Sequence, residues 1–169
     1  REYANLSDQY TKYTTVPGYI IDRDLSNLSS MMVINIGTRE GVQKNMAVVS
    51  SEGVVGYVVS ATETTAKIQP IIDSSSSTSA IMSTSRDNVI VKGELGDGTK
   101  LKATYISSDA DLILNDDVET SGLGGIYPKG LKIGKLTQII EAQNITERYA
   151  IIEPSVDFSK LETVLVIIK

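Results

Sequence analysis

The amino-acid sequence predicts an all-β protein: two small six-stranded β-barrels preceded by a short N-terminal coiled-coil helix. Three observations carry that prediction. From Tyr19 onward the chain is a series of short Val/Ile-rich runs, broken every eight to twelve residues or so by Gly, Asp, Asn or Ser, and no later segment holds a 3.6-residue period. The serine-rich run Ser74 to Ser79 interrupts that series near its middle. Ahead of it all, Tyr3, Leu6, Tyr10 and Tyr13 recur at separations of three, four and three.

The first thirteen residues read as a helix with an a/d stripe, and polar Glu2, Asn5, Asp8, Gln9 and Lys12 fill the gaps. A helix this short is marginal alone in water, so the stripe must pack on something. It either covers its own domain or is the end of a coiled coil that pairs Tyr3, Leu6, Tyr10 and Tyr13 with the same residues of a second chain. Val16, Pro17 and Gly18 stop it.

Twelve strands are then expected: Tyr19 to Asp22, Met32 to Ile36, Ala47 to Ser50, Val54 to Ala61, Ala66 to Ile72, Ala80 to Ser83, Asn88 to Gly93, Leu101 to Ile106, Val118 to Thr120, Leu131 to Ile140, Tyr149 to Glu153 and Thr163 to Ile168. Turns are expected at Ser51-Glu52-Gly53 and at Gly96-Asp97-Gly98. Asn45 and Asn115 each stand just before a strand entry, where Asn tolerates the left-handed conformation that β-branched residues resist. The chain thus divides into residues 1–15, the end of the helix, 16–73, the first barrel, and 74–148, the second. The strands of 149–169 can complete the second barrel or return to the first. Barrels of about six strands are filled by their own side chains, and exposed barrel edges would be available to add a strand from a partner.

Composition excludes much chemistry. The 169 residues include no His, Cys or Trp, which removes the commonest general base, thiol nucleophiles, disulfides and the usual zinc or copper ligands. A formal net charge of -5 disfavours broad binding to nucleic acid or anionic lipid. No window approaches the roughly 18 apolar residues that span a bilayer. The chain opens at Arg1 inside a helical pattern, which predicts an upstream portion and leaves room for an anchor there.

The densest segment, Thr120 to Gly134, holds five glycines from Gly122 onward together with Tyr127 and Pro128. Its spacing fits neither G-x-x-x-x-G-K-[ST] nor G-x-G-x-x-G before a helix, so it is no phosphate cradle. Ser121 with Lys129 imitates a Ser-Lys hydrolase without its S-x-x-K spacing. Asp109, Asp111, Asp116 and Asp117 do not complete a calcium loop, and as a glycosidase pair they lack the usual aromatic platform. The plain reading is a demanding connection, with glycines at positive φ and Pro128 stiffening a bend. Neither a catalytic residue nor a cofactor or metal ligand is assigned.

The order Val16-Pro17-Gly18-Tyr19-Ile20-Ile21-Asp22-Arg23-Asp24, Val33-Ile34-Asn35-Ile36-Gly37 with Gly41-Val42, Met46-Ala47-Val48-Val49, Gly53-Val54-Val55-Gly56-Tyr57-Val58, and Thr120-Ser121-Gly122 through Tyr127-Pro128-Lys129-Gly130-Leu131 and Gly134 resembles the rod-shape-determining MreC family. Asn45 and Asn115 stand where the family pattern has Gly. The resemblance implies a chain on the extracytoplasmic face of the bacterial plasma membrane, anchored by an upstream transmembrane helix. It implies a non-catalytic scaffold of cell-wall elongation that self-associates as a dimer or higher assembly. Its partners would be peptidoglycan synthases of the penicillin-binding class, MreB and MreD. The family's barrels resemble chymotrypsin-like proteases in outline, but without His that triad cannot form. The loop Ser121, Gly122, Gly125, Tyr127, Pro128 and Gly130 is the expected partner-binding surface, with Tyr127 and Pro128 as rigid apolar contacts. The alternative is a cell-envelope hydrolase or carbohydrate-active β-barrel domain using Ser121 or the Asp109 to Asp117 carboxylates.

Overall fold

The structure, a computed structural model, describes residues 6, 8–25, 30–94, 100–107, 109–141 and 148–168. The expected turn at Gly96-Asp97-Gly98 and the first residue of the stripe, Tyr3, lie outside these. Among the described residues are twelve strands: β1 (Thr15–Leu25), β2 (Ser30–Ile34), β3 (Ala47–Ser50), β4 (Gly53–Ala61), β5 (Ala66–Pro70), β6 (Ser77–Met82), β7 (Asn88–Gly93), β8 (Leu101–Thr104), β9 (Asp117–Thr120), β10 (Lys132–Ile140), β11 (Tyr149–Pro154) and β12 (Thr163–Ile167). Period-two alternation produces them: β2 and β8 bury every second residue against a barrel interior.

β1 starts four residues earlier than expected and runs through Pro17 and Gly18, which pair with Leu165 and Val164. The hydrogen bonds from Ile168 N to Thr14 O and from Ile20 N to Glu162 O put the bonded positions of β1 on even residues. Pro17 falls between them, so its missing N–H removes no ladder bond.

The strands close into two barrels, in the orders β1-β12-β3-β4-β5-β2 and β10-β11-β8-β7-β6-β9. Every strand therefore has two neighbours, and among the described residues the free edges expected for strand addition are absent from both sheets. The C-terminal stretch is shared out: β11 pairs with β10 and β8 of the second barrel, whereas β12 pairs with β1 and β3 of the first.

Both barrels have the same connectivity once β12 is matched to β6. Each of these two strands lies between the barrel's next two partners in the same way, β12 between β1 and β3, β6 between β7 and β9. The match extends to details. Gly56 of β4 faces Pro70, and Gly134 of β10 faces Pro154. Register shifts follow at Val58/Ser60 and at Leu136/Gln138. Asn45 (φ 73°) donates its N–H to Val58 O at 2.8 Å, and Asn115 (φ 68°) donates to Leu136 O at 2.8 Å. A Cβ on Gly56 would lie 2.1 Å from Gln69 O and one on Gly134 2.1 Å from Glu153 O, so a side chain at either place would push the paired strands apart.

The two units differ most in one connection. Two residues, 51 and 52, join β3 to β4, whereas eleven, 121 to 131, join β9 to β10. The glycine-rich segment is thus an insertion into an otherwise repeated plan.

Candidate functional site

Thr120, fully buried at the end of β9, clips the base of this long loop. Its hydroxyl donates to Pro128 O at 2.5 Å and accepts from Leu131 N at 2.9 Å, while Gly130 N donates to Thr120 O at 2.9 Å. Between these ties the backbone turns through Gly122 (φ 84°), Gly124 (94°), Gly125 (81°) and Gly130 (90°), a region that L side chains enter at a cost of roughly 1–3 kcal/mol. Ser121 Oγ accepts from Leu123 N at 3.2 Å, holding the first bend.

The clipped loop reaches the first barrel. Gly122, Gly125, Ile126 and Pro128 form one wall of a cleft of about 460 Å³, and Tyr13, Asn45, Met46 and Ile168 form the other. Tyr127 goes deeper and is only 8% exposed. Burial, with Tyr57 of β4 beside it, pushes its hydroxyl pKa well up, and the Thr78 hydroxyl lies next to it short of a good hydrogen bond. Tyr127 is therefore a wedge between barrels and not the exposed contact that its place in a glycine-rich loop suggests. Leu123 takes the exposed role, at 65% exposure, on the far side of the loop. With Tyr105, 80% exposed, it flanks a trough of about 210 Å³ over Ser79, Asn88 and Ile90 on the second barrel. Leu123, flanked by three glycines that cannot cover it, was the available signal for this surface; nothing local marks Tyr105.

A polar node beside the wedge fastens the link between the barrels to the first of them. Asp73, 5% exposed in the link between them, accepts from Ser30 N (2.8 Å), Ser75 N (3.2 Å), Gln69 Nε2 (2.8 Å) and the Ser75 hydroxyl. Burial pulls this carboxyl up, but the Ser75, Ser30 and Gln69 donors together outweigh it and hold the pKa below the ordinary value. Gln69 Oε1 in turn accepts from the Tyr57 hydroxyl at 2.9 Å. The serine-rich run thus begins as an anchored joint.

The N-terminal stripe lies on the first barrel. Leu6 is 2% exposed and Tyr10 8%, and Tyr13 packs partly buried against the core. The Tyr10 hydroxyl donates to Ser50 O at 2.6 Å, and burial foremost, then Tyr13, pushes its pKa up to about 12. Of the helix itself, residues 6, 8 and 9 are helical and a turn follows at 10–12.

The acidic residues are dispersed by their partners. Asp116 is buried and accepts from Thr84 N at 3.1 Å, Asp117 pairs with Lys135 at 3.9 Å, Asp111 N donates to Asp87, and Asp109 takes the Ser107 hydroxyl. Among the described residues no group of three or more His, Cys, Asp or Glu is placed to hold a metal ion. No helix among them is long and apolar enough to cross a membrane.

Comparison with known proteins agrees with this geometry. The family described as "Rod shape-determining protein MreC, barrel core" matches residues 20–168. The cell shape-determining protein MreC of Bacillus subtilis (strain 168) is 28% identical over 173 residues, covering 92% of this chain and 57% of that protein. The chain spans a little over half the length of the curated relatives it matches. The crystal structure of MreC from Pseudomonas aeruginosa superposes with a TM-score of 0.85 at 21% identity, covering 91% of this chain and 99% of that one. A chain from the complex between penicillin-binding protein PBP2 and MreC of Helicobacter pylori superposes with a TM-score of 0.72 at 18% identity, covering 92% and 98%. On the family match over nearly its whole length, the chain belongs to the MreC family of rod shape-determining proteins.

Proposed function

We propose that this chain is a non-catalytic scaffold of the cell-wall elongation machinery, held at the extracytoplasmic face of the plasma membrane by an upstream anchor. It docks a penicillin-binding protein and acts alongside MreB and MreD to maintain rod shape. The observation that carries this reading is the Helicobacter pylori complex, in which an MreC of this fold is bound to PBP2. The geometry supports it: both barrels are filled by their own side chains, and exposed apolar side chains stand at their outside, Tyr19 and Ile21 on β1 and Tyr105, Ile113, Leu114 and Leu123 on loops. We place the docking surface on the second barrel, at Leu123, Tyr105 and the trough between them, presented by the loop of Ser121, Gly122, Gly125, Tyr127, Pro128 and Gly130. Rigid loop presentation lowers the ordering cost of binding.

Self-association through Leu6, Tyr10 and Tyr13 is the second part of the proposal. It would raise the local concentration of docking surfaces at the membrane. Sedimentation velocity of this chain mixed with the extracytoplasmic part of the elongation penicillin-binding protein from the same cell tests the first part. A faster boundary containing both proteins is expected; independent boundaries at every loading ratio contradict the proposal.

A further inference from the structure

The stripe side chains have two uses that cannot coexist. In the docked state Leu6 and Tyr10 leave almost no surface for a partner, being 2% and 8% exposed. Their seat is at the end of β3, where Ser50 O and Ser51 O accept from Tyr10 and Gln9, next to the β3–β12 pair. All nine residues of these two strands are buried, whereas their counterparts β9 and β6 alternate with exposed or half-exposed positions. Val49, paired with Leu165, stands in the first barrel where half-exposed Glu119, paired with Ile81, stands in the second. The first barrel has therefore made apolar, and covered, a face that the second leaves polar and open.

Two hydrogen bonds close the cover: Tyr10 OH to Ser50 O at 2.6 Å and Gln9 Nε2 to Ser51 O at 3.1 Å. A helix–helix seam has no use for a phenolic hydroxyl at its centre, but the seat uses it. We infer that the docked N-terminal turn is an autoinhibitory latch on self-association, in which the first barrel competes with a second copy of the chain for Leu6, Tyr10 and Tyr13. The inference rests on reading that stripe as the self-association surface. Undocking precedes pairing, and its free energy sets the concentration at which copies associate.

Two variants test it by sedimentation equilibrium. Gln9→Ala/Tyr10→Phe removes both latch bonds and leaves the apolar stripe intact. Its dissociation constant is expected to fall by about tenfold relative to wild type, since each of the two chains gives up less on undocking. Gln9→Cys/Ser51→Cys supplies the only two thiols in a chain without cysteine. Closed by a short bismaleimide, it is expected to remain monomeric at concentrations where the unlinked variant associates. Unchanged affinity in the first variant overturns the latch. Undiminished association of the linked chain also overturns it, while leaving self-association through another surface standing. A first variant that stays monomeric throughout overturns both the latch and the stripe.

Discussion

Asn45 and Asn115 hold the same unusual conformation at equivalent points of the two barrels, with φ of 73° and 68°. Replacement by Gly, which enters that region freely, is expected to be near neutral. Asn45→Val or Asn115→Val is expected to cost on the order of 1–3 kcal/mol in urea unfolding, and unchanged stability of the Val variants contradicts the assignment. Both positions were legible in sequence because the requirement is local: a polar residue tolerant of positive φ just before a Val-rich run. Tyr10 makes a second residue-level prediction. Its hydroxyl pKa is raised from the ordinary 10.0 to about 12 in the folded chain. The unfolded chain therefore releases this proton first, and the stability tied to the neutral phenol is intact below pH 10 and lost as pH rises toward about 12. Wild type is expected to lose stability more steeply than Tyr10→Phe over that range; parallel curves contradict the burial-driven shift. Tyr127 shows the limit of local reading. Glycines around it suggest an exposed ring, but the ring is buried, with Tyr57 and Thr78, some fifty to seventy residues away in sequence, beside its hydroxyl.

The element that sets the second barrel apart is the β9–β10 loop, eleven residues where the first barrel has two. Thr120 clips its base and Tyr127 drives its middle between the barrels, leaving Leu123 outside. Tyr127→Ala is expected to destabilise the chain by about 3 kcal/mol through the cavity it leaves. Tyr127→Phe is expected to be neutral or slightly stabilising, because the buried hydroxyl it removes lacks a hydrogen-bond partner. A Tyr127→Ala variant as stable as wild type contradicts the wedge. The strands were legible from Val/Ile alternation, and β3 and β12 were too, though burial of both their faces was not. A continuous apolar run says that a strand is covered twice without saying by what. The N-terminal turn bonds to the end of β3, and its heptad-like spacing fits docking on a barrel as well as pairing with another helix.

At the scale of the molecule, the second barrel is contiguous from β6 to β11, whereas the first waits for β12 from the far end of the chain. Deleting residues 160–169 is expected to abolish amide protection in β3 and β1, which flank the gap, while β6 to β11 remain protected. Persistent protection of β3 contradicts the need for β12. The two six-stranded barrels were readable in advance; the sharing of the C-terminal strands was not, because pairing across a hundred residues leaves no local trace. β12 closes the first barrel, Asp73 and Gln69 fasten the link to it, and Tyr127 sits between the barrels; the proposed work of this platform is to present Leu123 and Tyr105 to a synthase. The most direct measurement is the affinity of the elongation penicillin-binding protein for wild type and for Leu123→Asp, with thermal unfolding of both chains in parallel. The expected result is at least a roughly tenfold loss of affinity with unchanged unfolding temperature. Equal affinity in an equally stable variant would contradict docking through this surface.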